Sequence, residues 1–181
     1  MRPRTVGAIA LAGIVAAGAL IVTYVTRRST LTGGSPCHVI AEGRTYGLDR
    51  DQAANAITIA TAANTVGLPH HAVTIADAAA LQESALHNLA HGDRDSLGLF
   101  QQRPSQGWGS AVQILNPIFA AESFFRALAR VEGWQTLSVN DAAQRVQHSA
   151  MPTAYAKWED EARALARATT GELPGTLTCT R

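Results

Sequence analysis

The stretch Ala80–Gly109, ALQESALHNLAHGDRDSLGLFQQRPSQGWG, holds the residues best suited to chemistry. Glu83 lies between Leu81 and Leu86 near the end of an alanine-rich, otherwise apolar helical run. A carboxyl group in such surroundings loses hydration, and desolvation raises its pKa by disfavouring the charged form. A raised pKa lets a carboxyl hold its proton near neutrality and act as a general acid. The bland alternative is a Glu on the solvated face of its helix, the usual place for a charged residue. Asp93 and Asp95 follow in the HGDRDS loop. Either could be a second carboxylate holding a water across a cleft of about 6.5–9.5 Å, as in an inverting hydrolase. The competing reading is structural: Asp95 caps the following turn and Asp93 pairs with Arg94 or solvent. Beyond them, Arg103, Gln106 and Trp108 stand on a loop braced by Pro and Gly. Trp108 suits stacking on a sugar ring and Arg103 suits a carboxylate. A Trp packed into the core and a surface ion pair are the alternatives.

Six histidines are present, and His87 and His91 are four apart, a spacing that places two ligands on one helical face. No H-E-x-x-H run occurs and no third ligand follows at a suitable spacing, so solvated or capping histidines, no metal and no cofactor are expected. Phosphate-binding glycine loops and a Gly-x-Ser-x-Gly elbow are also absent, which removes support for nucleotide binding and for a serine hydrolase of that type.

Glu83-Ser84 followed by Gly98-Leu99-Phe100-Gln101 resembles the motif pair of soluble lytic transglycosylases and goose-type lysozymes, in the lysozyme-like superfamily. Those families carry Glu-Ser at a helix end, then a loop, then Gly-Leu-Met-Gln; Phe100 stands here in place of Met. The run ILNPIFAAESFFRAL resembles the family's next helix. The resemblance covers residues 72–130 well and 48–165 loosely, by helix order. It implies that Glu83 is the catalytic acid/base and that Ser84 and Gln101 line a glycan site. It further implies a reaction in which one Glu protonates the glycosidic oxygen and then deprotonates the sugar's C6 hydroxyl, leaving an anhydro sugar. The family's later Ala-Tyr-Asn-Ala-Gly run, whose Tyr approaches the Glu, has no counterpart in DAAQRVQHSAMPTAY. Gln144, Gln147, Ser149 or Tyr155 are the candidates for its place.

The elements that position these residues read as helices. Asp49 with Gln52 is a capping box, and Gly67 and Pro69 end the helix it opens. A second helix is expected from about His71 to Leu89, stopped by Gly92. Asn116-Pro117 is an N-cap with Pro at the first helical position, opening a helix closed by Gly133. Ser138 with Asp141 is another capping box, and Pro152 is expected to start a last helix ending at Gly171. No strand-length alternation stands out, so the expected class is all-α and lysozyme-like, with an irregular or hairpin-like excursion near residues 91–101.

The composition frames this domain. The chain has 181 residues, 46% hydrophobic and 16% charged, enough for a packed core and too little charge for a disordered chain. Val6–Val25 is twenty residues without a charge, long enough to span a bilayer core of about 30 Å and long for a signal peptide. The expected organisation is a cytoplasmic tail (1–5), a transmembrane anchor or uncleaved signal (6–25), a stalk (26–47), the lysozyme-like domain (48–170) and a tail (171–181). Beyond the anchor and its flanking arginines, eleven basic residues face fourteen acidic ones, a balance of −3 that argues against nucleic acid as partner. The only cysteines, Cys37 and Cys179, bracket the domain. A disulfide between them would place the domain outside the cytoplasm and contribute roughly 4–5 kcal/mol in the chain-entropy model; two unrelated thiols are the alternative. The expected partners are peptidoglycan glycan strands and, through residues 6–25, the membrane, with a monomer as the default. Three functional readings remain open: an enzyme, a glycan- or protein-binding module that has lost catalysis, and a structural envelope component. The first two require a groove lined by Glu83, Gln101 and Trp108. The third requires Glu83 to be fully covered.

Overall fold

A computed structural model describes residues 35–180. The anchor expected at residues 6–25 lies outside them, and among the described residues no helix is long and apolar enough to cross a membrane.

The described residues are mixed α/β, not all-α. Cys37–Ala41 (β1) and Arg44–Leu48 (β2) form an antiparallel hairpin with Ala41 opposite Arg44. The link is the pair Glu42-Gly43, both left-handed at φ 52° and 74°, which is the backbone a two-residue type I′ turn demands. Thr176–Cys179 (β3) pairs antiparallel with β1, giving the order β2-β1-β3. Residues 37–47, expected in a stalk, are therefore two strands of the folded unit, and the tail supplies the third. The strands are at most five residues long, and Cys37, Val39 and Ala41 alternate inward over a distance too short to register as a period. Cys37 faces Cys179 across the sheet and the two are joined by a disulfide, closing a separation of 142 residues.

Six helices among the described residues pack beside this sheet. Arg50–Thr65 (α1) opens on the capping box expected from its sequence: the Asp49 side chain accepts from Gln52 N and the Gln52 side chain accepts from Asp49 N, both at 2.8 Å. His70–Ser84 (α2) is buried without interruption from Ala72 to Leu81. A helix apolar on every face belongs in the interior. Here alanines let Ala111–Ile114 (α3), Pro117–Leu128 (α4), Val139–Gln147 (α5) and Glu159–Thr170 (α6) complete a shell in which α1, α4, α5 and α6 all contact α2. Asn116 caps α4 by accepting from Ile118 N and Phe119 N, and Ser138 caps α5 by accepting from Asp141 N.

Three boundaries differ from the sequence reading. α2 stops at Ser84 rather than near Leu89, because Ala85 and Leu86 turn left-handed at φ 51° and 60°. α4 stops at Leu128, short of Gly133. Pro152 starts no helix: turns lead to a short 3-10 segment, Ala156–Trp158, before α6 begins. The bridge between Leu97 and Gln102 is the hairpin-like excursion.

One buried group opposes the fold. Asp77 on α2 is 0% exposed and neither carboxyl oxygen has a hydrogen-bond partner. Burial pushes its pKa well above the usual carboxylate range, and the nearby Glu161 of α6 adds to the shift. A carboxyl raised on folding contributes stability that is complete below its unfolded pKa of about 3.9 and is lost as pH climbs through the folded value. Over that window this one group should lower stability by about 1.4 kcal/mol per pH unit. Urea unfolding at a series of pH values should therefore show Asp77→Asn gaining on the parent as pH rises from about 4. Parallel curves for the two proteins would show that Asp77 does not titrate this way.

Candidate active site

Glu83 is the penultimate residue of α2, so its position depends on how that helix ends. Two consecutive non-glycine residues in the left-handed region cost about 1–2 kcal/mol each, and the surroundings hold them. Gln52 Nε2 donates to Ala85 O at 2.9 Å and Asn55 Nδ2 donates to Leu86 O at 2.7 Å, both from α1. The Leu86 side chain is fully buried.

Ser84 carries the second restraint. Its buried hydroxyl is shared between Ala80 O at 3.1 Å and Leu99 O at 2.8 Å, so it ties the helix end to the Gly98–Gln101 segment. Ser84 is thus a brace behind Glu83 and does not line the groove. Gly98 is left-handed at φ 75°, and a Cβ there would stand 2.8 Å from Ile114 O, so only glycine fits. Phe100 is buried and stacks on Phe124 with centroids 4.8 Å apart. The next residue, Gln101, is left-handed at φ 46° and turns towards the groove, its amide donating to Gly98 O at 3.2 Å.

The result is an open groove of about 590 Å³, within the range of roughly 300–1,000 Å³ usual for small-molecule sites. Glu83, Gln101, Gln106 and Trp108 form part of its lining; Gln147, His148, Arg130 and Arg145 contribute from α5 and from the end of α4. Glu83 is part-buried and still faces this groove, which is not the fully covered position a purely structural role requires.

Tyr155 OH donates to Glu83 Oε1 at 2.8 Å. Tyr155 is 0% exposed, and burial and the neighbouring Glu83 raise its pKa, so it remains a donor. Among Gln144, Gln147, Ser149 and Tyr155, Tyr155 is therefore the one whose hydroxyl donates to Glu83, and Gln147 also contacts that carboxyl. Gln147 stands beside Glu83 while its amide donates to Phe100 O at 2.9 Å. Gln144 donates to Ser149 O. Burial raises the Glu83 pKa, and its contacts with Tyr155 and then Gln147 oppose that rise. A partly desolvated carboxyl with an oriented phenol on one oxygen can give up a proton and take one back.

No protein-family model matches the chain, and no curated protein matches it.

The loop carboxylates do other work. Asp95 accepts from Arg103 Nε at 2.6 Å, from Ser105 N at 2.8 Å and from Ser105 Oγ at 3.0 Å. These bonds hold its carboxyl far below the usual range and brace the turn into the 3-10 segment Pro104–Gln106. Arg103 is committed to that pair and does not line the groove. Asp93 is 92% exposed, with Arg94 at 3.9 Å. Neither Asp lines the groove with Glu83. His87 Nε2 pairs with Asp49 Oδ2 at 2.8 Å, and among the described residues no three His, Cys, Asp or Glu side chains gather as for a metal ion.

Replacing Tyr155 by Phe removes a hydrogen bond that favours the charged carboxylate, so the Glu83 pKa should rise. A carboxyl-selective NMR titration should show the Glu83 midpoint displaced to higher pH in the variant. A midpoint that is unchanged or lower would show that the phenol does not stabilise the anion.

Proposed function

We propose that this chain cleaves peptidoglycan glycan strands as a lytic transglycosylase, with Glu83 as general acid and then general base. The observation that carries the reading is Glu83 on the wall of an open groove, its pKa raised by burial and its Oε1 accepting a hydrogen bond at 2.8 Å from the buried Tyr155 hydroxyl. It is joined by the resemblance of Glu83-Ser84 and Gly98–Gln101 to the motif pair of lytic transglycosylases and goose-type lysozymes.

In this mechanism protonated Glu83 transfers its proton to the glycosidic oxygen as the C1–O bond breaks, and an oxocarbenium-like sugar forms. The carboxylate left behind is stabilised by the Tyr155 hydroxyl. It then takes the proton of the sugar's own C6 hydroxyl while that oxygen bonds to C1. The products are a shortened strand and a 1,6-anhydro end, and Glu83 is again protonated. No water is consumed and one carboxyl group suffices. This favours the transglycosylase over an inverting muramidase, which needs a second carboxylate, because Asp95 is bound to Arg103 and Ser105 and Asp93 points to solvent. Gln101 and Trp108 supply polar and planar surface for the sugars. The Cys37–Cys179 disulfide supports an oxidising compartment, so the reading places the domain outside the cytoplasm, with residues 6–25 as its membrane anchor.

The test is to incubate the full chain and its Glu83→Gln variant with peptidoglycan and identify products by mass spectrometry. Anhydro-muropeptides are expected from the parent, with the variant slower by at least about 100-fold. Reducing-end products lost in the variant would make the protein a muramidase. No products from the parent, with glycan still retained, would leave a binding module and reject the enzyme.

A further inference from the structure

We propose that Arg130 and Arg145 make this groove selective for glycan that carries free carboxylates, and that a neutral glycan is a poor ligand. The inference rests on the glycan reading of the groove and deepens it.

Charge pairing across the domain carries the argument. Among the described residues, Arg44, Arg94, Arg103, Arg126, Arg163 and Arg167 each have a carboxylate within 4.0 Å, and Arg50 donates to Thr180 O. Arg130 and Arg145 have neither, and both line the groove. They come from different elements, Arg145 from the last turn of α5 and Arg130 from just beyond α4, so no single helix face explains their lining one groove. Acidic residues outnumber basic ones in the chain beyond the anchor, so partners for two arginines are not scarce in general. They are missing at this place. The groove's one carboxyl is Glu83, and burial favours its neutral form. The wall therefore presents two uncompensated guanidinium groups on an otherwise acidic domain.

A second, shallower depression adjoins the first. Gly107, Trp108 and Arg130 line both. Arg126 lies there as well, 5.6 Å above the Phe119 ring, with its guanidinium donating to Ser123 Oγ at 2.7 Å. Trp108 and Arg130 thus stand where a chain running from one depression to the next would pass. An aromatic face beside a guanidinium suits a sugar ring that bears an acid.

Guanidinium binds carboxylate through two parallel N–H donors, a geometry that a sugar hydroxyl does not reproduce. Peptidoglycan offers that chemistry from two sources. One is the lactyl carboxylate of muramic acid, which is free only where the stem peptide has been removed. The other is the set of carboxylates on the stem peptide itself. Strands of N-acetylglucosamine alone offer neither.

The experiment measures binding by calorimetry, using the full chain with Glu83→Gln so that no ligand is consumed. Three ligands are compared: peptide-free glycan strands, peptide-bearing strands, and neutral N-acetylglucosamine oligomers of equal length. Expected is a preference for the carboxylate-bearing strands that weakens as salt is raised. Adding Arg130→Gln or Arg145→Gln should weaken that binding roughly tenfold each, with binding of the neutral oligomer unchanged. Arg145→Lys should recover part of it, since it restores charge without the bidentate fork. Both side chains are exposed and unpaired, so unchanged thermal melting will show that the variants are folded. Free stem peptide that competes identifies the peptide as the source; if it does not compete and peptide-free strands bind best, the source is the lactyl group. Equal affinity for the neutral oligomer, unaffected by either substitution, would overturn the proposal and leave glycan recognition standing. No binding to any of the three would overturn both.

Discussion

Burial of α2 on every side is the constraint on which the site depends. Its alanine-rich run from Ala72 to Leu81 lets four helices contact one axis, and this leaves a carboxyl at its C-terminal end little freedom. The helix also stops at Ser84, directly after Glu83. The left-handed pair Ala85-Leu86 makes that stop, at a conformational cost that the Gln52 and Asn55 hydrogen bonds and the burial of Leu86 offset. Ser84 then locks the stop to Leu99 O. Glu83 is therefore placed by its neighbours on either side in sequence more than by its own contacts.

Left-handed non-glycine residues gather around this groove: Ala85 and Leu86 beside Glu83, Gln101 on one wall and His148 on the other. Such backbone persists where the surrounding structure over-determines it, and it clusters at functional sites. The hydrogen bonds at these residues come from α1, from α2 and the loop after it, and for His148 from Gln144 of α5. These contacts fix the end of α2 on which Glu83 stands, and burial raises the Glu83 pKa. The packing that immobilises the end of α2 also excludes water from one side of Glu83.

Polar groups behind and within the groove wall differ in what they can still bind. Tyr155 is buried and bonded, so it has no surface left for a ligand and acts on Glu83. Arg130 and Arg145 are exposed and line the groove without a carboxylate partner among the described residues, so they are available to a ligand. Asp95 and Arg103 carry opposite charges that satisfy each other and stiffen the loop on which Gln106 and Trp108 stand. A charged side chain near a site is thus a ligand-binding group only when the protein has left it unsatisfied.

The local signals were legible in the sequence because each works over three or four residues. Asp49 with Gln52, Asn116 with Pro117 and Ser138 with Asp141 mark helix starts through hydrogen bonds to the adjacent backbone, and the structure has all three. Glu83 stood out for the same reason, as a charge in an apolar run beside a recognisable motif. The sheet did not, because five-residue strands are too short to show a period and β3 lies at the far end of the chain from β1. The disulfide was inferable only because two cysteines allow a single pairing. Tyr155 could be placed only among four candidates, since 72 residues separate it from Glu83 and its segment is a turn rather than the helix its periodicity suggested. Arg130 and Arg145 gave no signal, because an arginine on the outer face of a helix reads as solvated whether or not a partner faces it. Sequence by itself determined the caps and the apolar axis and singled out Glu83 as the candidate acid, all of which depend on near neighbours. Tertiary structure alone decided which hydroxyl meets that acid, which carboxylates are already spent, and which arginines are left free, because each of these depends on side chains brought together from distant parts of the chain.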